Sequence, residues 1–283
     1  MYSTEKESIS QMGQMGETVY KDLIARGRSV KTARQWRSWT ERLENVAGEK
    51  NRYERGDITE YLVYLRNRGI SQNSINTMLR PLKLLCQIQN WPGGFPKLAM
   101  PKVRESDVNR PILSCGEIER MISRGKRLLD GRQLAFLALS TSYGLRREEM
   151  SRMRRCDLLG DKLRVDTAKG GPATVHLIPY EIRQYLEEFR RTDLRYMSRM
   201  FRSMCWKVGL RKRDGFGWHS IRRRLATELV GRGLSTLDVL RFMRWSATWM
   251  KGELGMLRIY VRREQADIDE QVFKVHPFLR FWR

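Results

Sequence analysis

No cysteine in this chain has a near neighbour of its own kind. Cys86, Cys115, Cys156 and Cys205 lie far apart and form no Cys-x-x-Cys pair. That excludes a zinc knuckle and a disulfide framework, and it suits a reducing interior. Long apolar runs are missing too. The longest aliphatic-aromatic stretch, Leu134 to Leu139, is far too short to span a bilayer. The leader from Met1 to Glu17 is polar and lacks the apolar stretch of a signal peptide. A soluble, intracellular protein with no membrane partner is expected. No Gly-x-x-x-x-Gly-Lys phosphate cradle occurs, so nothing suggests ATP. Histidine is scarce: His176, His219 and His276 show no metal-ligand spacing, and acids paired for a two-metal nuclease are not evident. No metal and no cofactor is therefore expected. Internal repeats and low-complexity tracts are absent.

Acidic residues are outnumbered. Fifty-five Lys and Arg against 32 Asp and Glu leave a net charge of +23, with basic residues along the whole chain. Such a surface attracts polyanions, because each phosphate it neutralises releases counterions. Ribosomal, RNA-binding and membrane-surface proteins share the property, so charge alone does not decide for DNA. No recognisable RNA-binding motif is present. Hydrophobic residues at 41% and charged residues at 31% make a globular balance that excludes global disorder. The 283 residues suffice for one large domain or two modest ones.

Three helical patterns follow the leader. Val30, Ala33, Trp36, Trp39, Leu43 and Val46 recur at helical spacing up to Ala47, with both tryptophans read as core. Asp57 is expected to cap a helix carrying Ile58, Tyr61, Leu62 and Leu65 that stops at Gly69. A third runs from about Ser74 to Leu85 with a bend at Pro81. Between Trp91 and Pro111 the prolines and glycines read as a linker. The domain boundary is placed near residue 104, giving a helical domain over 1–104 and a second domain over 105–283. Ser114 and Glu117 form a capping box ahead of Ile118, Met121 and Ile122. Leu163–Thr167 and Thr174–Ile178 alternate with period two around Gly170-Gly171-Pro172, a β-hairpin with Lys169 on its tip. The fold class expected is mainly α with a small β-hairpin.

Breaking a phosphodiester bond without metal or nucleotide takes cations for the nonbridging oxygens, a proton donor for the leaving oxygen and a nucleophile. The chain offers these in order. Gly144-Leu145-Arg146 is followed by Glu149; Lys169-Gly170 sits on the hairpin; His219-Ser220-Ile221-Arg222 opens a helix. Leu240-Arg241-Phe242-Met243-Arg244-Trp245 comes next, then Arg258-Ile259-Tyr260-Val261. Tyr260 is the only tyrosine after Tyr196, so a nucleophile downstream of His219 has one candidate.

In this order the motifs resemble the tyrosine recombinase (phage integrase) family over roughly residues 112 to 265, and more loosely over the helical amino-terminal unit. The resemblance implies a core-binding domain followed by a catalytic domain. Arg146, Lys169, His219, Arg222, Trp245 and Tyr260 would then be the catalytic set. It implies site-specific cleavage and rejoining of double-stranded DNA through a 3′-phosphotyrosyl link, by a tetramer on DNA, in a mobile element, virus or chromosome. Arg146 and Arg222 would hold the scissile phosphate, Lys169 would protonate the departing 5′ oxygen, and His219 would assist proton transfer or hold the phosphate. Trp245 stands where the segment usually ends Leu-Gly-His. The 15 residues from Trp245 to Tyr260, with Gly252 and Gly255, exceed the family's usual stretch, which leaves Trp249 as the alternative to Trp245. Glu149 is read as structural. A type IB topoisomerase and a nonenzymatic DNA-binding protein are the competing readings. The residues after Tyr260 include exposed-looking aromatics that would dock on a neighbouring protomer or on the chain's own domain.

Overall fold

Val30 to Ala47 form the helix that their spacing predicts, and Ser29 caps it by accepting a hydrogen bond from the Thr32 N–H. The structure, a computed structural model, describes residues 14–50, 52–91, 95, 112–168, 173–211, 213, 215–245 and 263–283. The chain divides into two compact units, Met1–Arg110 and Pro111–Arg283. The first contains α1 (Gln14–Ala25), α2 (Val30–Ala47), α3 (Arg55–Asn67), α4 (Gln72–Met78) and α5 (Arg80–Ile88). Leu43, Ile58, Tyr61, Leu65, Leu82 and Leu85 form its core, with Trp36 and Trp39 partly buried against it.

Three expectations here need correction. A helix that was not expected, α1, begins within the polar leader and runs on beyond it, with Met15, Val19 and Leu23 buried on one face. Asp57 is not the cap of α3: Glu54 holds that position, and Asp57, three residues on, accepts the Glu54 N–H at 2.8 Å and pairs with Lys50. The helix expected to bend at Pro81 is two helices, divided at Leu79. Proline in the first turn of α5 has no N–H with which to continue α4. Trp91, at the start of the expected linker, packs in this core with its ring 6.2 Å from that of Tyr53. The rest of that linker except Phe95, including the boundary near residue 104, lies outside the described residues.

The second unit opens with α6 (Cys115–Leu128) at the predicted capping box. The Glu117 N–H donates to Ser114 Oγ at 3.2 Å, and the Ser114 N–H to the Glu117 carboxylate at 2.8 Å. Next comes α7 (Gly131–Tyr143), buried from Ala135 through Tyr143. A helix buried on all sides along most of its length belongs at a centre, and α6 and the last residues of the chain pack on it. A short α8 (Arg147–Arg152) leads to an antiparallel sheet of β1 (Leu158–Leu159), β2 (Lys162–Val165) and β3 (Thr174–Leu177). β2 and β3 are the expected hairpin, with Leu163 opposite His176; β1 was not anticipated. The hairpin tip, residues 169–172, lies outside the described residues. Then follow α9 (Tyr180–Arg183), α10 (Leu194–Lys207), α11 (Trp218–Gly231), α12 (Thr236–Phe242) and α13 (Gln265–Val275). Among the described residues no helix is long and apolar enough to cross a membrane.

The carboxy-terminal aromatics read as exposed are mostly buried. Phe278 and Trp282 belong to the core of their own unit, and the Trp282 indole N–H donates to Thr141 Oγ1 at 3.1 Å. His276 organises this turn. Its Nε2–H donates to the Ser142 carbonyl at 3.0 Å, while Nδ1 accepts the Phe278 and Leu279 N–H groups at 3.1 and 3.2 Å. A second ring proton would face two donors. Burial first, and Arg232 to a lesser degree, push the imidazole down to about 3, against the hydrogen bond to Ser142. The native state thus takes up its proton far below the unfolded value of about 6.5. Between these values the unfolded chain binds more protons, so the second unit loses stability as pH falls from about 6.5 toward 3, by up to about 1.4 kcal/mol per pH unit. Urea unfolding of wild type and His276→Gln across this window checks it. A slope left unchanged by the substitution would assign the loss elsewhere.

Candidate active site

The site begins where α7 ends. Gly144 closes that helix with φ +55°, a left-handed turn that glycine adopts without strain. A Cβ there would also stand 2.8 Å from Met243 Cε and 3.3 Å from Leu225. Its carbonyl accepts from Arg222 Nη1 at 2.5 Å, so backbone geometry and site geometry are tied together. Gly144→Ala is expected to cost roughly 1–3 kcal/mol in urea unfolding; a loss within error would show that Met243 simply moves aside.

Two residues on, Arg146 occupies the cap position of α8. Its N–H and its Nη1 both donate to Glu149, at 2.8 and 2.5 Å. Arg222, one turn into α11, approaches the same carboxylate at 4.0 Å, and Arg244, just past α12, at 3.4 Å. Arg146 Nη2 also donates to the Arg244 carbonyl at 3.0 Å. Three guanidiniums from three separated segments therefore share one carboxylate. The Glu149 side chain is 0% exposed, those of Arg222 and Arg244 each 1%, and that of Arg146 17%. Arg146 is the cation with an open edge.

The electrostatics follow from this imbalance. Burial opposes ionisation of Glu149, but Arg244, the Arg146 N–H and Arg222 outweigh it and hold the carboxyl below its usual range. Arg222 is pushed well down by burial first, then by repulsion from Arg244 and Arg146, with Glu149 opposing. Burial likewise lowers Arg244. A guanidinium keeps its proton at neutral pH all the same. Both shifts have the same cause: three guanidiniums stand close to one carboxylate with little water to screen them.

Arg222 also donates to the Met243 carbonyl, and its guanidinium carbon lies 5.5 Å from the centre of the Trp245 ring, a cation–π distance. Its Nε has no hydrogen-bond partner among the described residues. Trp245 is 36% exposed. His219, one turn before Arg222 on α11, is exposed. With Arg146, Arg147, Ser198, Arg202 and Trp218 it lines an open cavity of about 650 Å³.

Of the six residues proposed from sequence, Arg146 and Arg222 gather around Glu149, Trp245 lies against Arg222, and His219 shares the cavity with Arg146. Lys169 and Tyr260 lie outside the described residues, as does Trp249. Sequence reasoning missed Arg244 and, behind it, His176 and Asp269. Arg244 stands one place before Trp245, where the resembled segment carries glycine, and its backbone keeps a glycine-like φ of +52°. A charged residue at a glycine position was the available signal.

Neither the family models nor the curated protein sequences compared with this chain give a match. Solved structures do. A lambda integrase tetramer bound to a Holliday junction superposes with a TM-score of 0.67 at 16% identity, over 83% of this chain and 74% of that one. Lambda integrase residues 75–356 bound to DNA gives 0.66 at 16% identity, over 86% and 94%. XerH site-specific recombinase bound to its palindromic difH substrate gives 0.61 at 16% identity, over 93% and 83%. The chain has the fold of these integrases and recombinases.

Proposed function

We propose that this chain is a tyrosine-type site-specific DNA recombinase that cleaves and rejoins strands through a 3′-phosphotyrosyl intermediate, without metal or ATP. The observation that carries the reading is the excess of buried positive charge around Glu149. Arg146 and Arg222 come from segments 76 residues apart and, with Arg244, meet around the one Glu149 carboxylate. The fold supports it, since lambda integrase and XerH bear that fold and are seen bound to DNA.

In this reading planar guanidiniums grip the nonbridging oxygens of the scissile phosphate and stabilise the charge that develops there. Arg146 meets the phosphate directly. The Trp245 ring lies over Arg222, so a phosphate reaches both arginines once the indole swings off. Trp245 then buttresses the pocket through its apolar face and its single N–H. A free phenol has a pKa of about 10, so about one thousandth is ionised at neutral pH. Neighbouring cations raise that fraction. The Tyr260 oxygen bonds to phosphorus, its proton passing toward His219, while the bond to the 5′ oxygen breaks and Lys169 gives that oxygen a proton. Attack by another 5′ hydroxyl reverses the step. The first unit serves as a core-binding domain on the duplex, and a tetramer holds two duplexes together; lambda integrase is seen as a tetramer bound to a Holliday junction.

The test is covalent capture. The protein is incubated with nicked duplexes of randomised sequence, denatured, and digested to map the attachment. An adduct on Tyr260 is the expected result. No adduct from a pool that the protein binds would overturn the reading. Joining of two captured sites, against mere relaxation of supercoils, separates a recombinase from a topoisomerase.

A further inference from the structure

Arg244 has φ +52°, and arginine adopts that left-handed backbone only under strain. A fold that needed the turn alone would be served by glycine. What arginine adds is a fully buried guanidinium with four partners. Nε faces the Glu149 carboxylate at 3.4 Å; Nη1 donates to the Phe242 carbonyl at 2.8 Å and meets His176 Nε2 at 3.3 Å; Nη2 donates to the Tyr143 carbonyl at 3.0 Å. The chain of contacts continues through β3. His176, itself fully buried, places Nδ1 2.9 Å from Asp269 on α13, and the other Asp269 oxygen accepts the Leu177 N–H at 2.8 Å. Gln265 donates to the same carboxylate at 2.9 Å.

These partners select one form of the imidazole. Asp269 accepts at Nδ1 at 2.9 Å, closer than the Gln265 amide nitrogen at 3.3 Å, so the proton sits there; Arg244 and the Thr174 hydroxyl, at 3.0 Å, approach Nε2 and leave it as acceptor. A protonated Nε2 would set an N–H against a guanidinium in a buried site. This is the arrangement in which a carboxylate fixes a histidine and the histidine fixes a third group, here an arginine.

We propose that Arg244 is a positioning residue for the phosphate grip, and that the buried series Asp269–His176–Arg244–Glu149 sets where Arg146 and Arg222 stand. Glu149 is the shared end: it holds Arg146 by two hydrogen bonds and neighbours Arg222. Arg146 is also tied to the Arg244 carbonyl. The other end is α13, the helix that resumes after residues 246–262, so the guanidiniums are registered to the element that follows Tyr260 in sequence. The inference rests on the phosphate-binding part of the proposed function and not on its nucleophile.

The test reads phosphate binding apart from catalysis. Inorganic phosphate is titrated into the full chain, well below its melting range, and followed by the Trp245 indole N–H resonance, assigned with W245F. Asp269→Asn and Arg244→Lys are expected to weaken phosphate binding about tenfold or more, as the loss of outer partners does at metal sites. The double variant is expected to bind within about twofold of Arg244→Lys alone, since both act through one series. Arg244→Gly, which relieves the strained backbone, shows the same weakening and covers the case in which the lysine variant folds poorly. A residue with only a structural role would lower the melting temperature and leave phosphate affinity unchanged. Unchanged affinity in these variants overturns the inference, as do additive losses, or a wild-type site that binds no phosphate. A wild type that binds phosphate but forms no adduct through Tyr260 sinks the recombinase reading instead, and the phosphate result still decides the role of Arg244.

Discussion

Tyr260→Phe is expected to abolish covalent capture of DNA, lowering adduct formation by at least about 10⁴-fold, the scale of removing a nucleophile that nothing replaces. Phenylalanine keeps the ring and loses only the oxygen that would bond to phosphorus. No other tyrosine follows Tyr196 in the chain, so the sequence downstream of His219 offers no second phenol. Duplex affinity is expected to stay within about twofold, because the cations that bind phosphates are untouched. Capture on denaturing gels, set beside filter binding of the same duplex, separates the two effects. An undiminished adduct would move the chemistry to another side chain.

Glu149→Gln carries the largest expected loss of stability. Among the described residues this carboxylate is the one within 4.0 Å of Arg146, Arg222 and Arg244, and all but Arg146 are sealed from water. Removing one partner of a buried ion cluster leaves charge uncompensated, at about 3–5 kcal/mol. The amide keeps the volume and part of the hydrogen bonding, so the loss reports charge. The pH profile gives a second reading. The native carboxyl lies below its unfolded value of about 4.3. Its stabilisation is therefore complete above that pH and fades as pH falls through the lower native value. Urea unfolding of wild type should steepen in its acid dependence below about pH 4, and Glu149→Gln should lack that component. A loss under about 1 kcal/mol at neutral pH would mean that backbone carbonyls, rather than Glu149, neutralise the cluster.

Much of the second unit was legible because its signals are local. Ser114 and Glu117 are three residues apart, and the strand alternation around His176 needs only its own segment. The gathering of Arg146 and Arg222 was legible through motif order, which stands in for the long-range contact. Where the reading failed, tertiary packing overrode a local pattern. Met15, Val19 and Leu23 carry helical spacing inside a stretch that looks polar, and only packing against α2 makes α1 a core element. Phe278 and Trp282 looked exposed because nothing nearby in sequence covers them; α7, more than a hundred residues earlier, does. His176 was set aside for lacking metal-ligand spacing, yet its partners, Asp269 and Arg244, lie 93 and 68 positions away. No local pattern encodes such a meeting.

The two residues that flank 246–262 are both tied to one short helix. The Trp245 N–H is fastened to the Leu240 carbonyl, and Arg263 to Asp238 at 2.6 Å, both acceptors belonging to α12. Tyr260 stands three residues before Arg263 in sequence, a separation that extended backbone spans in at most about 10–11 Å. Lengthening the chain on the other side, around Gly252, leaves that separation as it was, whereas one residue inserted between Tyr260 and Arg263 lengthens it by a third. Strand capture should tolerate the first insertion and suffer from the second.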